Sequence, residues 1–232
     1  MKTNEALLAL LHSATAASIP LVSPRGTEIV GGQPGKIEDF AYQAHLYNDG
    51  ANGCAGTIIS NRHVVSKRLE IPVYDDANVD YDVTVLVLNR DIKFSSTVKA
   101  INVASKAPAA DTTAVVSGWG VLTEAEDKDP QPHELRYVNI PIVDHAECQK
   151  DYGNNPDRTE QITPRMICAG VKEGGKDSCQ ADSGGPLVAN NTLVGIVSFG
   201  QGCGRPNYPG VYTDVSEPTV HKFIMDSLKI TS

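Results

Sequence analysis

The chain has 232 residues, enough for one large or two small hydrophobic cores, and its 41% hydrophobic and 21% charged residues are the balance of a soluble globular protein. A net charge of −8 argues against nucleic acid as a partner. No apolar run approaches the roughly 20 residues of a membrane-spanning helix, so no membrane partner is expected either.

The N-terminal stretch carries Lys2, an apolar run from Ala6 to Leu11, and small residues at Ala14-Thr15-Ala16 or Thr15-Ala16-Ala17. That pattern predicts a signal peptide over residues 1–17 and a secreted, extracellular protein. Beyond it, turn signals recur at Gly31-Gly32, Asn48-Asp49-Gly50, Ser60-Asn61, Gly153-Asn154-Asn155-Pro156, Glu173-Gly174-Gly175 and Ala189-Asn190-Asn191. Between them, runs rich in Val, Ile, Thr and Tyr predict strands at Gly56–Ile59, Val83–Leu88, Ala114–Gly118, Tyr137–Ile142, Leu193–Ser198 and Gly210–Val215. Many short strands with regular turns predict an all-β barrel or sandwich. The chain ends differently. Val220, Phe223, Ile224 and Leu228 recur at helical spacing, predicting a helix over Glu217–Leu228 capped by Ser216. Asp, Glu and His do not cluster with metal-ligand spacing, so neither a metal nor a cofactor is expected. The cysteines are Cys54, Cys148, Cys168, Cys179 and Cys203; a secreted chain pairs its cysteines, and an odd count leaves one over. Asn190-Asn191-Thr192 is an N-glycosylation sequon on a predicted hairpin loop.

The segment Asp177-Ser178-Cys179-Gln180-Ala181-Asp182-Ser183-Gly184-Gly185-Pro186-Leu187 carries the chemistry. A serine hydroxyl becomes a useful nucleophile only when a base takes its proton and backbone N–H groups receive the oxyanion. Glycines beside it let the backbone approach a substrate closely. The segment resembles the nucleophile loop of the chymotrypsin/trypsin serine proteases. From Ile29 onward the chain is similar to the trypsin-like branch of that family. The landmarks include Ile29-Val30-Gly31-Gly32, Gly53-Cys54-Ala55-Gly56, Tyr81-Asp82-Val83-Thr84, Gly118-Trp119-Gly120, Met166-Ile167-Cys168-Ala169-Gly170 and Pro209-Gly210-Val211-Tyr212.

The resemblance implies a double six-stranded antiparallel β-barrel with the active site between the barrels and a helix at the C-terminus. It implies an activation propeptide over residues 18–28 and a protease domain over 29–232, the first barrel in 29–105 and the second in 106–232. Ser183 matches the nucleophile and Asp82 the triad aspartate. The N–H groups of Ser183 and residue 181 match the oxyanion hole, where Ala181 replaces the family's glycine. If that backbone needs φ > 0, alanine costs roughly 1 kcal/mol. Asp177 matches the floor of a specificity pocket for Lys or Arg, with Gly200 and Gly210 as wall glycines and Phe199 in place of a tryptophan. The expected partners are proteins or peptides, substrates or inhibitors, that present a basic residue. An activating protease would cut the Glu28–Ile29 bond, after which the Ile29 ammonium would pair with Asp182. Glu28 departs from the Lys or Arg carried by members that trypsin activates. Cys148 with Cys168, and Cys179 with Cys203, match family disulfides.

After Val64-Val65-Ser66, where the family carries Ala-Ala-His-Cys, this chain runs Lys67-Arg68-Leu69-Glu70-Ile71-Pro72-Val73-Tyr74. The stretch Asp75–Asp80 already looks like the approach to Asp82. The triad histidine and the family partner of Cys54 are both missing, and one internal deletion accounts for both. The first barrel is then incomplete and Cys54 is the cysteine left over. The six histidines are His12 in the signal, His45 in an early strand, His63 in a core strand, His133 and His145 in surface loops, and His221 in the C-terminal helix. None is expected within the roughly 3 Å of the serine oxygen that a base needs. The expected function is that of a secreted trypsin-like serine endopeptidase by family, inactive or nearly so as written. The alternatives are a non-catalytic homologue that binds basic residues as a decoy, and a non-functional splice or gene-model product.

Overall fold

The Val-, Ile- and Thr-rich runs form strands in the computed structural model, which describes residues 29–48, 51–67, 79–121, 134–153 and 161–230. The expected signal peptide and propeptide, Glu28, His12, His133 and the stretch Arg68–Asn78 lie outside the described residues. In chain order the strands are β1 (Gln33–Pro34), β2 (Gln43–Asn48), β3 (Ala51–Ile58), β4 (His63–Ser66), β5 (Thr84–Val87), β6 (Asn102–Val103), β7 (Thr113–Gly118) and β8 (Arg136–Val143). Helix α1 (His145–Gly153) follows, then β9 (Met166–Ala169), β10 (Pro186–Ala189), β11 (Thr192–Phe199), β12 (Gly210–Asp214) and helix α2 (Pro218–Ser227).

Six strands run in the order β8-β7-β10-β11-β12-β9, all antiparallel, and β9 pairs back onto β8 to close a barrel. Closure leaves no open edge among these six strands. Strands β1 and β6 add short pairings to β8 and β11. The other sheet has four antiparallel strands in the order β2-β3-β4-β5, with no pairing of β2 to β5 among the described residues. The all-β expectation, with one barrel complete and the first one incomplete, describes this architecture.

Inward-facing Val116, Val138, Ile140, Leu187 and Tyr212 fill the barrel, and Ile29 packs among them, fully buried. A second cluster (Val65, Ile101, Leu193, Ile196, Val220 and Ile224) sits where the four-stranded sheet, the barrel and α2 meet. Each such side chain, fully buried, contributes about 1.5–3 kcal/mol.

Two expectations are corrected. Helix α2 starts at Pro218 and is capped by Glu217, whose carboxylate accepts the Thr219 and Val220 N–H groups at 2.9 and 3.0 Å. Ser216 instead donates its hydroxyl to Asp214. His145 opens helix α1 rather than lying in a loop. The Asp144 carboxylate accepts the Ala146 and Glu147 N–H groups at the start of that helix.

Candidate functional site

Ser183 stands just before β10, whose residues are all buried. The next residue, Gly184, has φ 84°, and a methyl there would lie 2.2 Å from Ser66 Oγ and 2.5 Å from the Ala55 carbonyl oxygen. Only glycine lets the loop come this close to the first sheet. The Ala55 N–H donates to the Ser183 carbonyl at 2.9 Å, joining β3 to the loop. Ala181 adopts φ 73°, the left-handed region in which a Cβ is strained. Among the described residues, neither the Ala181 N–H nor the Ser183 N–H has a hydrogen-bond acceptor, which leaves both able to donate to a bound oxygen.

Ser183 lines a cavity of about 210 Å³ together with Asp177, Cys179, Ser198, Gly200 and Cys203. Asp177 is 3% exposed. Its Oδ1 accepts the Ser178 N–H at 2.8 Å and its Oδ2 the Gly204 N–H at 2.9 Å. Burial pushes its carboxyl up to about 7, against the pull of those two donors. Gly200 lies on the cavity wall, whereas Gly210 stands behind Asp177: a methyl on Gly210 would come within 2.6 Å of Asp177 Oδ1. The Cys179–Cys203 disulfide fastens two wall residues to each other, and Cys148–Cys168 ties α1 to β9. Cys54 belongs to neither bridge.

Asp82 precedes β5 and is 5% exposed. The Ser198 hydroxyl donates to its Oδ2 at 2.6 Å, and Thr213 Oγ1 donates to its carbonyl at 2.8 Å. Ser198 therefore bridges Asp82 and the cavity that holds Ser183. The loop carrying Asp82 is clamped from the barrel side. Arg165 Nε donates to both oxygens of Asp80, at 2.9 and 2.7 Å, and Thr163 Oγ1 donates at 2.9 Å. The Arg165 guanidinium also lies 4.7 Å from the centroid of the Tyr81 ring.

Among the described residues, no histidine nitrogen lies within hydrogen-bonding distance of the Ser183 hydroxyl. His63 is 4% exposed; its ring nitrogens face Ser60 Oγ at 2.7 Å and the Ile230 carbonyl at 3.1 Å. The His45 ring stacks on Trp119 with centroids 5.2 Å apart, and burial lowers its pKa. His221 faces the Val215 carbonyl at 3.3 Å.

Asp182 is fully buried. Its Oδ1 accepts the Gly120 N–H at 2.8 Å and its Oδ2 the Cys179 N–H at 2.9 Å. It has no ion-pair partner among the described residues, and burial pushes it up to about 6 against those two donors.

Three contributors escaped the sequence reading: Ser198, the Gly204 N–H and the Asp80–Arg165 clamp. Ser198 had a usable signal, since it is the polar residue ending an apolar strand run.

The family model described as Trypsin matches residues 65–224. The chain is 39% identical over 248 residues to Hypodermin-A of Hypoderma lineatum, covering 90% of this chain and 93% of that protein. It is 36% identical over 249 residues to the vitellin-degrading protease of Bombyx mori, covering 92% of this chain and 91% of the relative. Among solved structures, neuropsin, a serine protease expressed in the limbic system of mouse brain, superposes with a TM-score of 0.74 at 25% identity. That match covers 85% of this chain and 98% of neuropsin. The Trypsin match spans more than half of the chain, the relatives match along nearly their whole length, and the closed barrel with its added sheet is the neuropsin fold: the chain belongs to the trypsin family of serine proteases.

Proposed function

We propose that this chain is a secreted member of the trypsin-like endopeptidases that binds Lys or Arg side chains of proteins and peptides in the Asp177 cavity and hydrolyses them negligibly. The reading is carried by one juxtaposition. A buried carboxylate lies at the floor of a cavity with Ser183 on its wall, and no histidine nitrogen stands beside that serine among the described residues. In the proposed roles, Ser183 is a nucleophile without its base and Asp82 the triad aspartate without the imidazole it would orient. The Ala181 and Ser183 N–H groups form the oxyanion hole. Losing such a histidine costs on the order of 10⁶ in kcat. Residues 1–17 are proposed as the signal peptide, 18–28 as the propeptide and 29–232 as the protease domain, with Ile29 the first residue after cleavage.

The test pairs hydrolysis of an arginine p-nitroanilide with binding of benzamidine, a cationic mimic of arginine. The expected outcome is benzamidine binding that Asp177→Asn removes, with no turnover that Ser183→Ala removes. Turnover lost on Ser183→Ala would overturn the inactivity; retention of binding in Asp177→Asn would overturn the pocket assignment.

One observation favours a second reading, in which this chain is a shortened form of an active protease. The alignment with Hypodermin-A spans 248 positions, more than the 232 residues of the whole chain, although only 90% of the chain enters it. The relative therefore has residues with no counterpart here, and an internal loss at the junction after Ser66 accounts for them. Sequencing of full-length transcripts across the codons for Val65–Ile71 tests this: transcripts with an inserted His-Cys segment support it, and an unchanged junction in all of them sets it aside.

A further inference from the structure

Asn190 and Asn191 are the two central residues of the turn that joins β10 to β11, since Ala189 and Thr192 pair across it. Their φ angles are 50° and 58°, the left-handed pair of a type I′ turn, which asparagine tolerates better than most residues with a Cβ. Both asparagines are exposed. The Thr192 hydroxyl donates to the Ala189 carbonyl at 2.9 Å, so Thr192 fastens the turn, whereas the Asn190 carboxamide makes no hydrogen bond among the described residues. Asn190 therefore presents a free amide nitrogen at the tip of a rigid, open turn. Asn190-Asn191-Thr192 is also the only Asn-X-Ser/Thr triplet in the chain whose middle residue is not proline.

The turn stands away from the cavity. Strand β10, four residues and about 13 Å long, separates Asn190 from Ser183 at its other end. A bulky group on Asn190 thus leaves the mouth of the Asp177 cavity open. On its own side of the molecule, Asn191 lines a cleft of about 300 Å³ with Phe40, Tyr42, Ile101, Val115 and Val188. A large polar group at the turn would shade this apolar cleft from other molecules. The disulfides Cys148–Cys168 and Cys179–Cys203 fit passage through an oxidising, secretory compartment.

We infer that Asn190 carries an N-linked oligosaccharide. This rests on the proposed secretion of the chain. The donor is an oligosaccharide linked to a lipid pyrophosphate. The bond between Asn190 Nδ2 and the anomeric carbon of the first sugar forms, the bond from that carbon to the pyrophosphate oxygen breaks, the lipid pyrophosphate leaves, and one amide proton passes to solvent.

The full chain is expressed with its own N-terminus in insect cells, and both medium and cell lysate are collected. Intact mass and peptide mapping are read before and after treatment with peptide N-glycosidase F, which removes the glycan and leaves aspartate in place of the asparagine. The expected result is one glycan, located at position 190, absent from Asn190→Gln and from Thr192→Ala and kept in Asn191→Gln. The enzyme is also expected to release it from the folded protein without denaturant, as an open turn allows. A glycosylated chain found in the lysate supports the inference equally, because the glycan itself records entry into the secretory lumen. A chain in the medium with Asn190 bare overturns the inference and leaves the secreted reading standing. A chain confined to the cytosol with Asn190 bare overturns both. A glycan released only after denaturation overturns the placement at an open turn.

Discussion

Asp177 faces two opposed demands. The cationic ligand proposed for the cavity would need its carboxylate ionised, and burial pushes the empty-site carboxyl up to about 7. With that value part of the population is protonated near neutrality, and on the proposed reading a cationic ligand would bind with loss of that proton. Benzamidine affinity is therefore expected to rise with pH through about 7 and level off above it, with Asp177→Asn removing both the binding and the slope. Calorimetric titration between about pH 5.5 and pH 8.5 checks this, and a flat profile in the unsubstituted chain would count against Asp177 as the counter-ion. Ligand-free stability runs the other way. The folded pKa lies above the unfolded value, so the folded state holds its proton longer. That favourable contribution is complete below about pH 4 and is lost as pH rises through about 7, and Asp182, raised to about 6, acts in the same direction. Ala181 is a different kind of strain. At φ 73° its Cβ is unfavourable, so Ala181→Gly is expected to stabilise the chain by about 0.5–1 kcal/mol in urea unfolding. A loss of stability would mean that the residue does not hold a positive φ in solution. Asp177, Ala181, Asp182 and Ser183 were legible because they sit in one short motif, where spacing along the chain stands in for position in space. Ser198 and Arg165 act across the fold, and the Gly204 contribution is a backbone amide with no side chain to read.

Among the elements, strands were easier to read than helix ends. The runs foreseen at Ala114–Gly118 and Leu193–Ser198 fall within β7 and β11, because a buried barrel strand needs a short β-branched run bounded by turns. Helix α1 left no such trace. Only Cys148 and Tyr152 of His145–Gly153 are buried, four residues apart, and the rest is polar apart from Ala146 and Gly153, so no apolar stripe announces it. Helix α2 was legible from its apolar face, but its cap was assigned by average preference to Ser216. Pro218 was the better guide: proline is favoured at the first helical position, which makes the preceding Glu217 the cap. Glu217→Ala is therefore expected to cost about 1 kcal/mol of stability, while Ser216→Ala leaves the helix cap intact. Urea unfolding of the two variants separates them; an equal loss in both would mean that the Asp214–Ser216 contact matters as much as the cap.

At the scale of the molecule, closure of a sheet is a property that no local pattern encodes. The six strands from β7 to β12 without β1 to β6 meet around a ring, whereas β2-β3-β4-β5 end at two strands that do not pair with each other among the described residues. All four residues of β5 are only half-buried, in contrast to the fully buried β10 and β12. A strand at an edge gives up its hydrogen bonds by local opening, while a strand in a closed barrel gives them up only when the whole barrel unfolds. Opposing this, β5 is not loose. Val83 and Val85 pack on the cluster that includes Val220 and Ile224, and Asp82 just before it is held by Ser198 and Thr213. These contacts anchor the N-terminal end of β5, so opening should begin at Leu86–Val87 and at their β4 partners Val64 and His63. Native-state hydrogen exchange is expected to find the amides of β4 and β5 at least about tenfold less protected than those of β10 to β12, with Leu86 and Val87 exchanging ahead of Val83. Equal protection across both sheets would mean that the anchors at Asp82 and α2 make the four-stranded sheet part of one cooperative unit with the barrel. In that case the Asp82 anchor, rather than strand pairing at the sheet edge, sets how firmly the first sheet is held.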